Sequence, residues 1–114
     1  MKKVKVSLKI NDYVLETNGL IKDNILSFVD KDELKTNIIY DYNYNILTRE
    51  NNEIKIILYF DKENNNMEYL LKKDNVKFFN NFIKKQLHSD NKAVIINYRM
   101  EEENFFLEIS YREE

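Results

Sequence analysis

Hydrophobic and polar positions alternate with a period of two along most of this chain. Val4, Val6, Leu8 and Ile10 are interleaved with Lys3, Lys5, Ser7 and Lys9, the pattern of a strand with one buried face. Ile54, Ile56, Leu58 and Phe60 repeat it. Further strand-like runs cover residues 13–17, 25–30, 34–40, 44–48, 67–73, 93–100 and 105–112. Between them lie turn signals: Asn18-Gly19, Asp23-Asn24, Asn51-Asn52, a polar loop over 61–66, Asp74-Asn75 and the acidic stretch 101–104. Short runs separated by turns every ten or so residues predict an all-β sandwich or barrel. One segment is ambiguous. In residues 76–87, Phe78, Phe79, Phe82, Ile83 and Leu87 suit an amphipathic helix capped by Asp74, whereas Val76, Phe78, Asn80 and Phe82 suit one face of a strand.

Composition sharpens this picture in three places. The 114 residues, 43% hydrophobic and with 15 Phe and Tyr between them, suffice for one domain over 1–114 with a continuous core. A single Gly and no Pro mean that Asn and Asp must supply the positive φ angles that Gly usually supplies. The Asn-, Lys- and Ile-rich usage reads as codon bias, because the asparagines are scattered among regular alternating segments. Charge is near balance overall, a net −2, with no global pull toward nucleic acid or an anionic membrane. It is polarised at the ends, however. Residues 2–10 hold Lys2, Lys3, Lys5 and Lys9 and no acid, while residues 101–114 hold six Glu against Arg112. Pairing the terminal strands would set lysines against glutamates and remove the exposed sheet edges.

The same counts narrow the chemistry. No cysteine excludes disulfides, thiolate nucleophiles and thiolate metal sites. The basic N-terminus lacks the continuous apolar run of a secretion signal, and no stretch approaches the roughly 18 apolar residues of a membrane helix. The expected location is cytoplasmic. His88 is the only histidine, and Ser89 and Asp90 beside it do not make a triad, whose members converge from separate parts of a fold. Asp30, Asp32 and Glu33 begin like a calcium loop, but Lys35 and Asp41 occupy the positions that need Gly and Glu. One glycine cannot build a phosphate loop. The expectation is a protein that is not an enzyme and needs no metal or cofactor. Between Lys72 and Lys92, six lysines surround Phe78, Phe79 and Phe82, the ingredients of a single-strand-binding surface. Scarce Arg and a negative overall charge weigh against nucleic acid.

Several stretches, taken in order, resemble the YwiB-like family, small bacterial proteins of unestablished function with a calycin-like, lipocalin-related β-barrel. They are Leu26-Ser27-Phe28-Val29-Asp30, the hairpin over 36–49, Ile95-Ile96-Asn97-Tyr98-Arg99-Met100, and Phe106-Leu107-Glu108-Ile109-Ser110-Tyr111-Arg112-Glu113. The chain departs from the family where glycines are usual, at Glu50-Asn51-Asn52 and at Asp74-Asn75. The resemblance implies a closed, antiparallel up-and-down barrel of about eight strands, with residues 76–87 as a strand. Such a barrel is filled by side chains or holds one small ligand. Phe28, Tyr40, Phe60, Tyr69, Phe78, Phe82, Tyr98 and Tyr111 are all candidates for its interior.

A fold alone licenses no activity. The expected function is binding of a small, partly apolar ligand in the barrel, or else a protein-interaction module with a filled interior. A small molecule and a second copy of the chain are the partners left open. The candidate ligand-binding residues are Asp30, Tyr40, Arg49 and Tyr98. Asp30 follows the alternation of Leu26 and Phe28 toward the interior, and Arg49 stands where the resembling family tends to keep a basic residue. Beside Tyr40 or Tyr98, an inward guanidinium would suit an acidic or amide-bearing ligand. The alternative places Arg49 on the outer face, bridging to a neighbouring carboxylate.

Overall fold

A computed structural model describes residues 1–61, 66–90 and 92–113, with the backbone alone at Lys85. Residues 62–65 of the expected polar loop, and Glu114 of the acidic end, lie outside the described residues. The chain forms β1 (Lys2–Ile10), β2 (Tyr13–Lys22), β3 (Ile25–Val29), β4 (Asn37–Asp41), β5 (Ile46–Glu50), β6 (Ile54–Tyr59), β7 (Asn66–Leu71), β8 (Val76–Asn81), β9 (Ile83–Ser89), β10 (Ala93–Met100) and β11 (Glu103–Glu113). All pairs are antiparallel, in the order β8-β7-β6-β5-β4-β3-β2-β1-β11-β10-β9. The fold is all-β, an antiparallel sheet rolled nearly into a barrel. No helix among the described residues is long and apolar enough to cross a membrane.

The expected closed barrel of about eight strands needs correcting on both counts. Among the described residues there are eleven strands, and no ladder joins the two ends of the sheet, β8 and β9. These two strands are consecutive halves of one extended run, interrupted only at Phe82. The first half pairs with β7 and the second with β10, so the run changes partner where a regular closing strand would keep both. What lies at the seam is aromatic. Phe60, Phe82 and Tyr98 are all buried, with ring centroids 5.3–5.4 Å apart. Lys84 Nζ adds a hydrogen bond to the carbonyl of Phe60 at 3.1 Å.

The period of two sorts the side chains. On β1, Val4, Val6 and Leu8 are buried while Lys3, Lys5 and Lys9 are exposed. Leu107 and Ile109 of β11 complete that wall, with Ile10 and Tyr111 partly buried against it. The terminal strands do pair, from Val4↔Glu113 to Ile10↔Leu107. Their charge match is mixed. Lys2 bonds Glu113 at 3.3 Å and Lys9 faces Glu108, but Lys5 faces Arg112. Of the aromatics expected inside, Phe28, Tyr40, Phe60, Phe82 and Tyr98 are buried. Tyr69 and Tyr111 are partly so, but Phe78 is half exposed, because among the described residues no facing wall covers the β7–β8 end of the sheet.

Asn and Asp take on the turn geometry as composition requires. Asn11, Asp23, Asn24, Asn45 and Asn75 all have positive φ, as do Lys35 and Glu101. Asn18-Gly19, expected as a turn, instead lies inside β2, with Gly19 paired to both Val4 and Phe28 and its φ not positive. Glycine serves here by lacking a side chain. A Cβ would come within 2.7 Å of the Ser27 carbonyl oxygen and of Val6 Cγ2. Gly19→Ala is therefore expected to cost about 1–3 kcal/mol of stability by overpacking, read as a lowered urea midpoint. An unchanged midpoint would show that β3 shifts freely.

Candidate functional site

One end of the barrel gathers the turns β1–β2, β3–β4, β5–β6 and β10–β11, and three of the four candidate residues lie toward it. Arg49 stands directly opposite Ile38 on β4 and Ile56 on β6. Directly opposed side chains share a face, and Ile38 is fully buried, so Arg49 is on the inner face. The side chain is half-buried, and its Nε is buried with no hydrogen-bond partner.

Asp30, just past β3, is 5% exposed. Its Oδ1 accepts from Tyr13 Oη at 2.6 Å and from the Lys31 amide at 2.7 Å. That bond, more than partial desolvation, raises the Tyr13 pKa, since a neutral hydroxyl is what the carboxylate holds. Asp30 and Arg49 thus both face inward, yet they form no ion pair with one another. The carboxylate is satisfied locally, and Nε of the guanidinium is not.

Tyr98 lies two residues before the β10–β11 turn, stacked on Phe105 with centroids 5.0 Å apart and planes 14° apart. Burial pushes its hydroxyl up to about 12, with the charge of Arg49 pulling the other way and Glu103 adding to the rise. The field of Arg49 also reaches Tyr13 and Asp32. Tyr40 is elsewhere. It sits in a deeper row between Leu26 and Leu47, fully buried, and its hydroxyl donates to Asn45 Oδ1 at 3.0 Å in the β4–β5 turn of the opposite end. The structure brings Asp30, Arg49 and Tyr98 toward one mouth and leaves Tyr40 outside it.

Two residues that sequence reasoning did not single out hold this mouth in shape. Thr36 and Asn51 are buried, and Asn51 Nδ2 donates to Thr36 Oγ1 at 3.0 Å. Thr36 in turn donates to Asp32 from its hydroxyl at 2.6 Å and from its amide at 2.9 Å. Those bonds keep the Asp32 carboxyl below its ordinary value. Asn51 Oδ1 accepts from the amides of Glu53 and Ile54. The chain ties the β3–β4 loop to the β5–β6 turn, on either side of Arg49. Asp32 thereby serves as a loop acceptor, and among the described residues no group of three or more His, Asp and Glu side chains is placed to hold a metal.

The two concavities of note lie away from the guanidinium. The larger, about 610 Å³, runs over β1, β2 and β11 among Lys5, Ser7, Glu16, Asn18, Ser110 and Arg112. It is a trough where short serines stand between long charged side chains. The other, about 440 Å³, adjoins Tyr98 and Phe105 and is edged by the amides of Asn11, Gln86, Asn97 and Asn104. Unpaired cationic chemistry marks the mouth more strongly than volume marks either trough. The chain matches no family model, and no curated protein or solved structure is detectably similar to it.

Proposed function

We propose that this protein binds, without transforming, a small acidic and partly apolar molecule at the Arg49 end of the barrel. One observation carries the reading: a permanently charged side chain on the inner face, flanked by Ile38 and Ile56, whose buried Nε lacks a partner. Leaving such a donor unpaired costs free energy, and a carboxylate or phosphate matches a guanidinium in both charge and shape. Tyr98 and Phe105 would supply the apolar flank. The interior itself is occupied by Tyr40, Phe60, Leu26, Ile38, Ile96 and Leu107, all fully buried, so the ligand belongs at the mouth and not in a lumen. Kinship with the YwiB-like, calycin-like proteins forms part of the same proposal, supported by the order of the resembling stretches and by the rolled antiparallel sheet.

The test is native mass spectrometry of protein purified from its own cells, alongside Arg49→Met. A retained acidic small molecule is expected on the wild type and absent from the variant. The variant's stability is expected to stay level or to rise by about 1 kcal/mol, because an uncompensated partly buried charge has been replaced by an apolar chain of similar volume. Equal retention by both proteins would overturn the site. The second reading, a filled barrel acting only as an interaction module, is favoured by that same fully packed interior, and a wild type that carries nothing would leave it standing.

A further inference from the structure

Of the two free strand edges that the broken seam creates, one is covered by described residues and the other is not. The outer edge of β9 is met by the end of β6, where Lys84 binds the carbonyls of Phe60 and Asp61 and Phe82 packs on Phe60. Among the described residues the outer edge of β8 has no such cover. All six residues of β8 are exposed, with Val76 at 39%, Phe78 at 50% and Phe79 at 66%. Among the described residues its one ladder is to β7. An uncovered strand edge bearing aromatic side chains is a hazard that proteins ordinarily blunt, or a site at which another strand is added.

We propose that β8 docks an extended acidic segment of a partner protein, added to the sheet as its next strand. The charge of the edge selects the partner. β8 itself carries the charge of Lys77 and no acid, and Lys84 and Lys85 follow on β9 with no acid between. Lys77 and Phe79 share the outer face, with the Lys77 ammonium 5.9 Å from the centre of the Phe79 ring, while Phe78 is on the other face beside Tyr69, its ring centroid 6.4 Å away. A strand laid along β8 would therefore meet a cation and a ring on one face and aromatic surface on the other. Alternating acidic and apolar residues satisfy both faces at once, because successive side chains point to opposite sides. A second copy of this chain offers β8 again, and with it a second Lys77 and no acid. The site is independent of Arg49 and of any ligand held there.

The experiment uses the full chain and a short fluorescent peptide of alternating glutamate and valine, read by anisotropy. Binding is expected, and it should weaken about tenfold or more when alternate amides of the peptide are methylated, since backbone pairing supplies the register. A lysine–valine peptide should fail to bind, and Lys77→Glu should reverse that preference. Arg49→Met should leave the peptide's affinity unchanged. Equal binding of the acidic and basic peptides, or indifference to amide methylation, would overturn the proposal. So would tighter binding of oligothymidylate than of the acidic peptide, which would assign the basic–aromatic edge to nucleic acid. A dimer in light scattering that is broken by Lys77→Glu would overturn it in favour of a second copy.

Discussion

Phe60→Ala is expected to remove about 3–5 kcal/mol of stability, the range for emptying a large aromatic site in a core. That is a large share of the roughly 5–15 kcal/mol that holds a domain folded. The residue is fully buried between Phe82 and Tyr98. It also stands where hydrogen bonding between the sheet's ends is missing. Elsewhere around the barrel a lost side chain leaves the ladder intact, whereas here the rings, with Lys84 on the Phe60 carbonyl, carry much of the closure. The variant should therefore show early hydrogen exchange over β8 and β9, beyond the fall in urea midpoint. Ile39→Ala, at an outer-face position that is 39% exposed, serves as the comparison, with an expected loss below about 1 kcal/mol. Similar losses in the two variants would mean that the seam is held by something other than its aromatic contacts.

Most of the strands are legible in the sequence because one face of each is buried, and a buried face writes a period of two into the chain. Their number is less legible: about eight are expected, and eleven form among the described residues. The eleventh strand arises at Phe82, where the chain stays extended and only the hydrogen-bonding partner changes. Periodicity records which way a side chain points and carries no trace of which neighbour the backbone meets, so this break was hidden. Gly19 shows a different limit. Asn-Gly is a strong turn signal because glycine tolerates positive φ, but glycine is also the residue that lets Ser27 and Val6 come close, and local sequence cannot separate the two uses.

The candidate site divides along the same line. Alternation from Phe28 sets Asp30 inward, as the structure has it, whereas the run through Tyr44, Ile46 and Thr48 leaves the face of Arg49 open, and the pairing of Arg49 with Ile38 decides it. That Asp30 is already engaged by Tyr13 depends on β2 and the β3–β4 loop meeting across the mouth, which no local pattern encodes. The spacing of Asp32 to Thr36, and of Asn51 to the amides of Glu53 and Ile54, did carry a readable signal. Short polar side chains that bond backbone amides a few residues on are loop-forming chemistry, and Asp32 fits that description better than a fragment of a calcium loop.

The protein is expected to unfold cooperatively in alkali, within about two pH units above 10. Burial raises the hydroxyls of Tyr40 and Tyr42 far above the ordinary tyrosine value and lifts Tyr98 to about 12. Above pH 10 the unfolded chain gives up those three protons while the folded chain keeps them. The unfolded state then binds fewer protons, so stability falls as pH rises, by up to about 4 kcal/mol per pH unit for three such groups. The slope is somewhat smaller in practice, because Tyr42 keeps part of its surface in water. Below pH 10 all three are neutral in both states and contribute no pH dependence. Tyr42 separates this account from general alkaline damage. Its hydroxyl is buried without a partner, edge-on to Tyr40 at 4.9 Å and to Tyr111 at 5.9 Å. Tyr42→Phe removes both an unsatisfied polar atom and one ionisable group, so it should raise stability at neutral pH by about 1 kcal/mol. It should also move the alkaline midpoint upward. Unfolding followed by circular dichroism, with tyrosinate absorbance recorded on the same samples, checks both. If tyrosinate forms fully while the sheet signal persists, these hydroxyls ionise within the folded barrel and the linkage fails.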